Sequence, residues 1–269
     1  MNKIIYVLIL GILPISTFSQ ERSEKAILDS IINEADLLYK YEKITWNSTD
    51  LAYSNERIKE NIGTYIVYLS NDTLFAVFAD KEYKNQIAKY SFTKKNLKVP
   101  YSEDYEVKPI SEKVSKLVEV KNAILKNLNS NAEKYSFNFQ KGFNPNLVLI
   151  PEISGYKLYI IIGTPNSNVI PFGNDYLFKT DERGNVISWK KFHKTLIATQ
   201  TKGPNNEVVV SAIHSHLKMT PYISATDICT FRLYGFDLFG MEEFMVTSTA
   251  LNKVFKYNAK QNSITATEL

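Results

Sequence analysis

The chain has a single cysteine, Cys229, in 269 residues, so no internal disulfide can brace its fold. Cys229 is also far from the N-terminus, which excludes it as the acceptor of an N-terminal lipid, and it reads as a small apolar residue within a helix. Long hydrophobic runs are missing too. The most apolar stretch, residues 4–15, is twelve residues, against the roughly 20 that a membrane-spanning helix needs. Basic residues are scattered singly among acids, the net charge is only +4, and no basic stripe with interleaved aromatics occurs, so a nucleic-acid partner has no support. Gly163-Thr164-Pro165-Asn166 lacks the glycine spacing and the lysine of a phosphate loop. Glu242 and Glu243 are neighbours at the head of a strand and face opposite sides, so they cannot work as an acid–base pair.

The N-terminus has the layout of a secretory signal. Lys3 precedes the apolar run, and residues 16–20 are small or polar, with Thr17 and Ser19 before a cut. The expectation is a signal peptide over residues 1–19 and an exported protein, periplasmic or extracellular, with no stable membrane insertion once the signal is removed. The signal takes Lys3 with it, leaving a net charge of +3 and about 250 residues, enough for one large domain or two small ones.

Periodicity predicts an α+β fold in two units. Ile27, Ile31, Ala35 and Leu38 mark an amphipathic helix over residues 23–43, followed by a polar stretch at 47–61. Strands at 64–69 and 73–79 form a hairpin around Ser70-Asn71-Asp72, with another strand at 86–92. Residues 98–109 are polar with two prolines and read as a linker. A second helix spans 111–128, with Val114, Leu117, Val118, Ile124, Leu125 and Leu128 as its apolar stripe. Strands are expected at 147–150, 158–162, 176–180, 186–197 and 207–216, with a tight turn at 181–185. A helix from Ser224 to about Leu238 and a hairpin of strands 244–248 and 253–257 complete the pattern. This divides the chain into an N-terminal α+β unit, 20–105, and a larger unit, 110–269. The seventeen tyrosines and fifteen phenylalanines sit at strand-like spacings, as sheet and core packing requires.

Histidine is the other scarce residue: three in the chain, two of them at His214 and His216. Residues two apart on a strand face one way, so both imidazoles project from the end of an apolar strand, on the face of Val208, Val210 and Ala212. A loop with Pro221 leads to a helix start at Ser224, and Asp227 follows in its first turn. Two imidazoles and a carboxylate converging there suit a divalent cation, zinc above all, with a fourth position left for water. Ser224 and Asp227 are at the same time a good helix start, the serine capping and the aspartate meeting the helix dipole. The third histidine, His193, shares a strand face with Trp189 and Lys191 and is expected to pack or face solvent rather than ligate.

The pattern His214-x-His216, seven residues, Ser224-x-x-Asp227 resembles the signature of the JAMM (MPN-type) metallopeptidases. The match is close over the motif and covers residues 110–260 in outline only. By that resemblance His214, His216 and Asp227 hold zinc, Ser224 supports the oxyanion, and an upstream glutamate acts as general base on a peptide or protein substrate, cutting an amide or isopeptide bond. Two positions depart from the pattern. Leu217 stands where the family usually has proline, and the glutamate is not obvious. Glu152, in Pro151-Glu152-Ile153-Ser154-Gly155, is the best match; Glu182 lies in a turn and Glu207 starts the histidine-bearing strand. If strand 176–180 is the family's glutamate-bearing strand, Gly173-Asn174-Asp175 holds that place and no glutamate is present. The alternative to a hydrolase is then an exported binding or interaction protein that keeps the fold without the base.

Overall fold

The computed structural model describes residues 16–205 and 207–269. The expected signal run at 4–15 lies outside them. Among the described residues, no helix is long and apolar enough to cross a membrane.

In chain order the elements are α1 (Ser16–Ser54), α2 (Glu56–Asn61), β1 (Ile62–Ser70), β2 (Thr73–Asp80), β3 (Asn85–Thr93), β4 (Ser102–Asp104), β5 (Lys108–Pro109), α3 (Glu112–Ser130) and α4 (Ala132–Tyr135). There follow β6 (Asn144–Glu152), β7 (Gly155–Gly163), β8 (Val169–Gly173), β9 (Tyr176–Thr180), β10 (Val186–Lys191), β11 (Leu196–Gln200) and β12 (Ser211–His216). A helical segment then runs as α5 (Ala225–Thr230), a π turn (Phe231–Phe236) and α6 (Asp237–Phe239), before β13 (Glu243–Ser248), β14 (Lys253–Asn258) and β15 (Ser263–Glu268). The class is α+β, as the periodicity indicates.

Four sheets carry the strands. The first runs β1-β2-β3-β4, with β5 also on β3; the second β10-β9-β7-β6; the third pairs β11 with β8; the fourth runs β12-β13-β14-β15. Among the described residues only β12 and β13 pair in parallel, which α5 to α6 makes possible by carrying the chain back between them.

The helix α1 joins these parts. It buries Leu28, Ala35, Leu38, Tyr41, Ile44 and Ala52 in a cluster that takes Phe78, Ala88 and Tyr90 from the first sheet, Tyr159 and Ile161 from β7, and Ile228, Phe231 and Phe244 from the C-terminal part. A second cluster lies under α3, where Val114, Leu117, Val118, Ile124 and Leu128 meet Ile66 and Tyr68 of β1, Leu158 and Ile160 of β7, and Tyr176 and Phe178 of β9. Both clusters therefore cross the expected boundary at 105–110, and apolar burial on the two sides is shared.

Several elements differ from expectation for local reasons. Residues 47–54 are helical rather than loop, because Ser48 and Ala52 fall on the buried face of α1. The expected linker at 98–109 contains β4 and β5, both bonded to β3. The expected strand 186–197 breaks between β10 and β11, where the chain turns His193 inward. Strand β12 begins only at Ser211, and Val208 and Val210 are exposed. The short strand β15 extends the predicted C-terminal hairpin.

A shared core predicts one cooperative unfolding transition. Leu38→Ala, which empties a fully buried site on α1, is expected to lower the unfolding free energy by about 2–5 kcal/mol. In Trp46→Phe and Trp189→Phe backgrounds, the remaining tryptophan should report the same midpoint; two separated transitions would contradict the shared core.

Candidate metal centre

The fourth sheet sets the first two side chains. On β12, Ala212, His214 and His216 share the inner face, opposite Phe244, Val246 and Ser248 of the parallel partner β13. Phe172 and Phe244 stack at 4.8 Å and flank the His214 ring, with centroids at 5.3 and 5.2 Å from it. This apolar wall excludes water from one side of the imidazoles.

The loop after β12 returns the chain to Ser224, the N-cap of α5, whose φ of −100° and ψ of 158° set the helix start. The Ser224 Oγ accepts from the Asp227 backbone N–H at 3.0 Å, and the Ser224 backbone N–H donates to Asp227 Oδ2 at 2.9 Å. This reciprocal capping box satisfies two donors at the helix start. The Ser224 hydroxyl also lies 2.6 Å from Asp227 Oδ2. Both contacts of the Asp227 carboxylate with Ser224 fall on Oδ2. The other oxygen, Asp227 Oδ1, is buried without a hydrogen-bond partner and stands 3.4 Å from both His193 Nε2 and His214 Nε2. One carboxylate thus caps the helix through Oδ2, which also stands 3.1 Å from His216 Nε2, and leaves Oδ1 unpartnered beside the other two imidazoles.

His193 is the third imidazole. It lies between β10 and β11, and is brought inward by the β8–β9 connection. Gly173 has φ +79°, and a Cβ there would lie 2.4 Å from the Thr195 carbonyl oxygen, so the close approach requires glycine. The Asn174 N–H then donates to the Thr195 carbonyl at 3.1 Å and the Phe192 N–H to the Asp175 carbonyl at 3.0 Å. This places Asp175 Oδ1 2.7 Å from His193 Nδ1, while Asp175 Oδ2 accepts from the Thr226 hydroxyl.

The four side chains His193, His214, His216 and Asp227 can together hold a metal ion. Their exposures are 5, 6, 0 and 1 %. Nε2–Nε2 separations are 2.8 Å for His193–His216, 3.1 Å for His214–His216 and 3.3 Å for His193–His214. Asp227 Oδ1 stands 3.4 Å from His193 Nε2 and His214 Nε2, and its Oδ2 3.1 Å from His216 Nε2. A tetrahedron with metal–ligand bonds of about 2.0–2.1 Å has edges of about 3.3–3.4 Å, so the donors stand close to the spacing one small cation would impose.

The outer nitrogens fix which face of each ring points inward. His193 Nδ1 bonds the Asp175 carboxylate, and His216 Nδ1 lies 2.7 Å from the Tyr222 carbonyl, which can only accept. Both rings therefore carry hydrogen on Nδ1 and direct Nε2 lone pairs at each other. In the metal-free protein that repulsion is relieved by protonation. Burial opposes a charged His193, but the carboxylates of Asp175 and Asp227 outweigh it and raise its pKa to about 9. Burial likewise opposes a charged Asp227, and the three imidazoles overcome it and hold the carboxyl well below its ordinary range.

The structure brings together His214, His216 and Asp227, and adds His193, which the sequence pattern assigned to packing. Ser224 is buried beside them, its hydroxyl committed to Asp227 and 2.8 Å from the hydroxyl of Thr226. Glu152 is elsewhere. It ends β6, pairs in register with Gly155, and its carboxylate lies 3.1 Å from Lys157 Nζ. Asp175 adjoins Tyr176, which is in register with Ile160; five residues of β7 separate that point from Gly155, or roughly 17 Å of strand. Glu182 occupies the turn at that same far end, and Glu207 is exposed and accepts from the Asn205 backbone and side chain. None of the three glutamates expected as a base stands at the cluster. The acid in the second layer is Asp175, in the Gly173-Asn174-Asp175 segment.

Neither a protein-family model nor a curated protein sequence matches this chain. The resemblance to the JAMM metallopeptidases thus stands on the motif, and what the structure adds to it is a buried three-histidine, one-aspartate cluster.

A four-donor site makes His193 as necessary as His216. By metal analysis after gel filtration, His193→Ala is expected to lose the bound ion to the same extent as His216→Ala, and Asp175→Asn to weaken it by about 10–100-fold. Retention of the ion by His193→Ala would restore a three-ligand site.

Proposed function

We propose that the chain is an exported binding or interaction protein whose fold is clasped by a structural zinc ion, and that it is not a hydrolase. The observation that carries this is the fourth donor. His193 fills the position that catalytic zinc leaves to water, and closed four-donor sites are characteristic of structural zinc. None of the three glutamates weighed as a base, Glu152, Glu182 and Glu207, stands at the cluster to move a proton to or from a bound water. Three neutral imidazoles with the Asp227 carboxylate suit zinc, and the Asp175 carboxylate behind His193 makes a neutral ensemble with a divalent ion. Such neutrality lowers the cost of burying charge.

The clasp would tie together three stretches of chain: the β10–β11 connection through His193, the end of β12 through His214 and His216, and the first turn of α5 through Asp227. It would thereby hold the second sheet to the fourth. Export is supported by the sequence layout of residues 1–19.

The hydrolytic reading requires His193 to leave the metal and open a coordination position. Cobalt(II) substitution distinguishes the two. A closed site is expected to give a four-coordinate visible spectrum that acetohydroxamate does not change, and peptide or isopeptide substrates should remain uncut; a shifted spectrum together with cleavage would establish the hydrolase. Zinc at about a thousandfold its dissociation constant should add about 4 kcal/mol to stability. That increment should shrink as the pH falls below about 9, because His193, whose pKa is raised to about 9 in the metal-free protein, then binds a proton in place of the ion. A melting temperature indifferent to chelator at pH 7.5 would contradict a structural role.

A further inference from the structure

A groove of about 300 Å³ lies beside the metal centre, lined by Trp189, Lys190, Lys191, Phe192, Lys194, Leu217, Met219 and Thr220. Its two walls belong to the segments that carry metal ligands. One is the end of β10 and the turn that bears His193; the other is the loop that follows His216. The Thr220 hydroxyl donates to the Phe192 carbonyl at 3.0 Å, joining the walls.

Three features define what fits. First, the last three residues of β10, Trp189 to Lys191, line the groove together with Phe192 just beyond them, so it follows the edge at the end of β10 rather than one face. Among the described residues β10 pairs only with β9, at the end of its sheet, which leaves its other edge open. An open edge offers backbone donors and acceptors to an added extended strand. Second, the groove is apolar in its side chains where it is accessible, with Met219 88 %, Leu217 50 % and Trp189 39 % exposed. Third, its charge is of one sign. Lys190, Lys191 and Lys194 line it, Lys218 lies between Leu217 and Met219, no acid is among the lining residues, and none of the four lysines joins an ion pair among the described residues. Lysines alone would merely keep such an edge from self-pairing; lysines around exposed apolar side chains make a surface for an acidic, partly apolar segment.

We infer that this groove binds an extended peptide segment that alternates acidic and bulky apolar residues, added along the free edge of β10, and that the metal clasp shapes it. The inference rests on the structural-metal reading, since the clasp holds both walls.

The test uses the full mature chain loaded with zinc and a fluorescein-labelled octapeptide of alternating glutamate and leucine at nanomolar concentration. Fluorescence anisotropy should rise to saturation, salt should weaken the binding, and Trp189 emission should change in a Trp46→Phe background. The Lys190→Glu/Lys194→Glu double variant should bind about tenfold or more weakly, and Met219→Asp should lose affinity as well, both with zinc content and melting temperature unchanged. Chelator should abolish binding. The inference is overturned if anisotropy does not saturate, if a lysine–leucine peptide or the double variant binds equally well, or if chelator has no effect. It is also overturned if oleate or phosphatidylglycerol vesicles bind in preference to the peptide. Loss of peptide binding alone, with zinc content and the cobalt spectrum as described above, removes this inference and leaves the metal clasp standing. Absence of zinc removes the clasp first.

Discussion

Three imidazole nitrogens and a carboxylate stand about 3 Å apart in a place that water does not reach, and their lone pairs face one another. Buried groups in that arrangement repel unless a proton or a metal cation lies among them, because the low dielectric that strengthens attraction strengthens repulsion equally. Everything around the cluster serves to hold it in this otherwise unfavourable state. The Phe172–Phe244 stack shuts one side, Asp175 and the Tyr222 carbonyl turn two of the rings, and the α5 capping box holds Asp227. A metal ion held by the four side chains would link the second sheet to the fourth.

The helix cap and the metal site are one device. Ser224 and Asp227 satisfy the first turn of α5 as capping residues do anywhere, yet the bonds all fall on Asp227 Oδ2 and leave Oδ1 unpartnered. The same carboxylate therefore serves the helix cap through Oδ2 and keeps Oδ1 free for an ion, with Oδ2 also 3.1 Å from His216 Nε2. The same economy holds at Asp175, which orients His193 with one oxygen and accepts from Thr226 of α5 with the other. The ligands are thus linked through their second layer before any ion binds, which reduces the reorganisation that binding requires.

Much of this was legible in the sequence and some was not, for physical reasons. The α+β class, the helix over 112–130, the turn at 181–185 and the convergence of His214, His216 and Asp227 follow from periods of 2 and 3.6 and from cap chemistry, which are local signals. His193 was not legible as a ligand. It sits in a stretch that reads as a continuous strand, and only the return of the chain through Gly173 and Asn174, both at positive φ, pulls it inward. Its one sequence signal was scarcity: three histidines in the chain, all three in the cluster. Glu152 looked like a base because its neighbours resemble a family context, but which end of β7 it occupies depends on strand register, which no short motif encodes. The sharing of the core between the two halves was hidden for the same reason, since α1 meets α5 across almost two hundred residues.

The central claim is that one metal ion is bound by His193, His214, His216 and Asp227 with no position left open. X-ray absorption at the zinc edge of the purified protein measures this directly. The account predicts four nitrogen or oxygen neighbours at about 2.0–2.1 Å, with the outer-shell scattering of three imidazoles and no sulfur. A fit requiring only two imidazoles and a water, or the absence of zinc from protein purified without chelator and offered the ion, would contradict it.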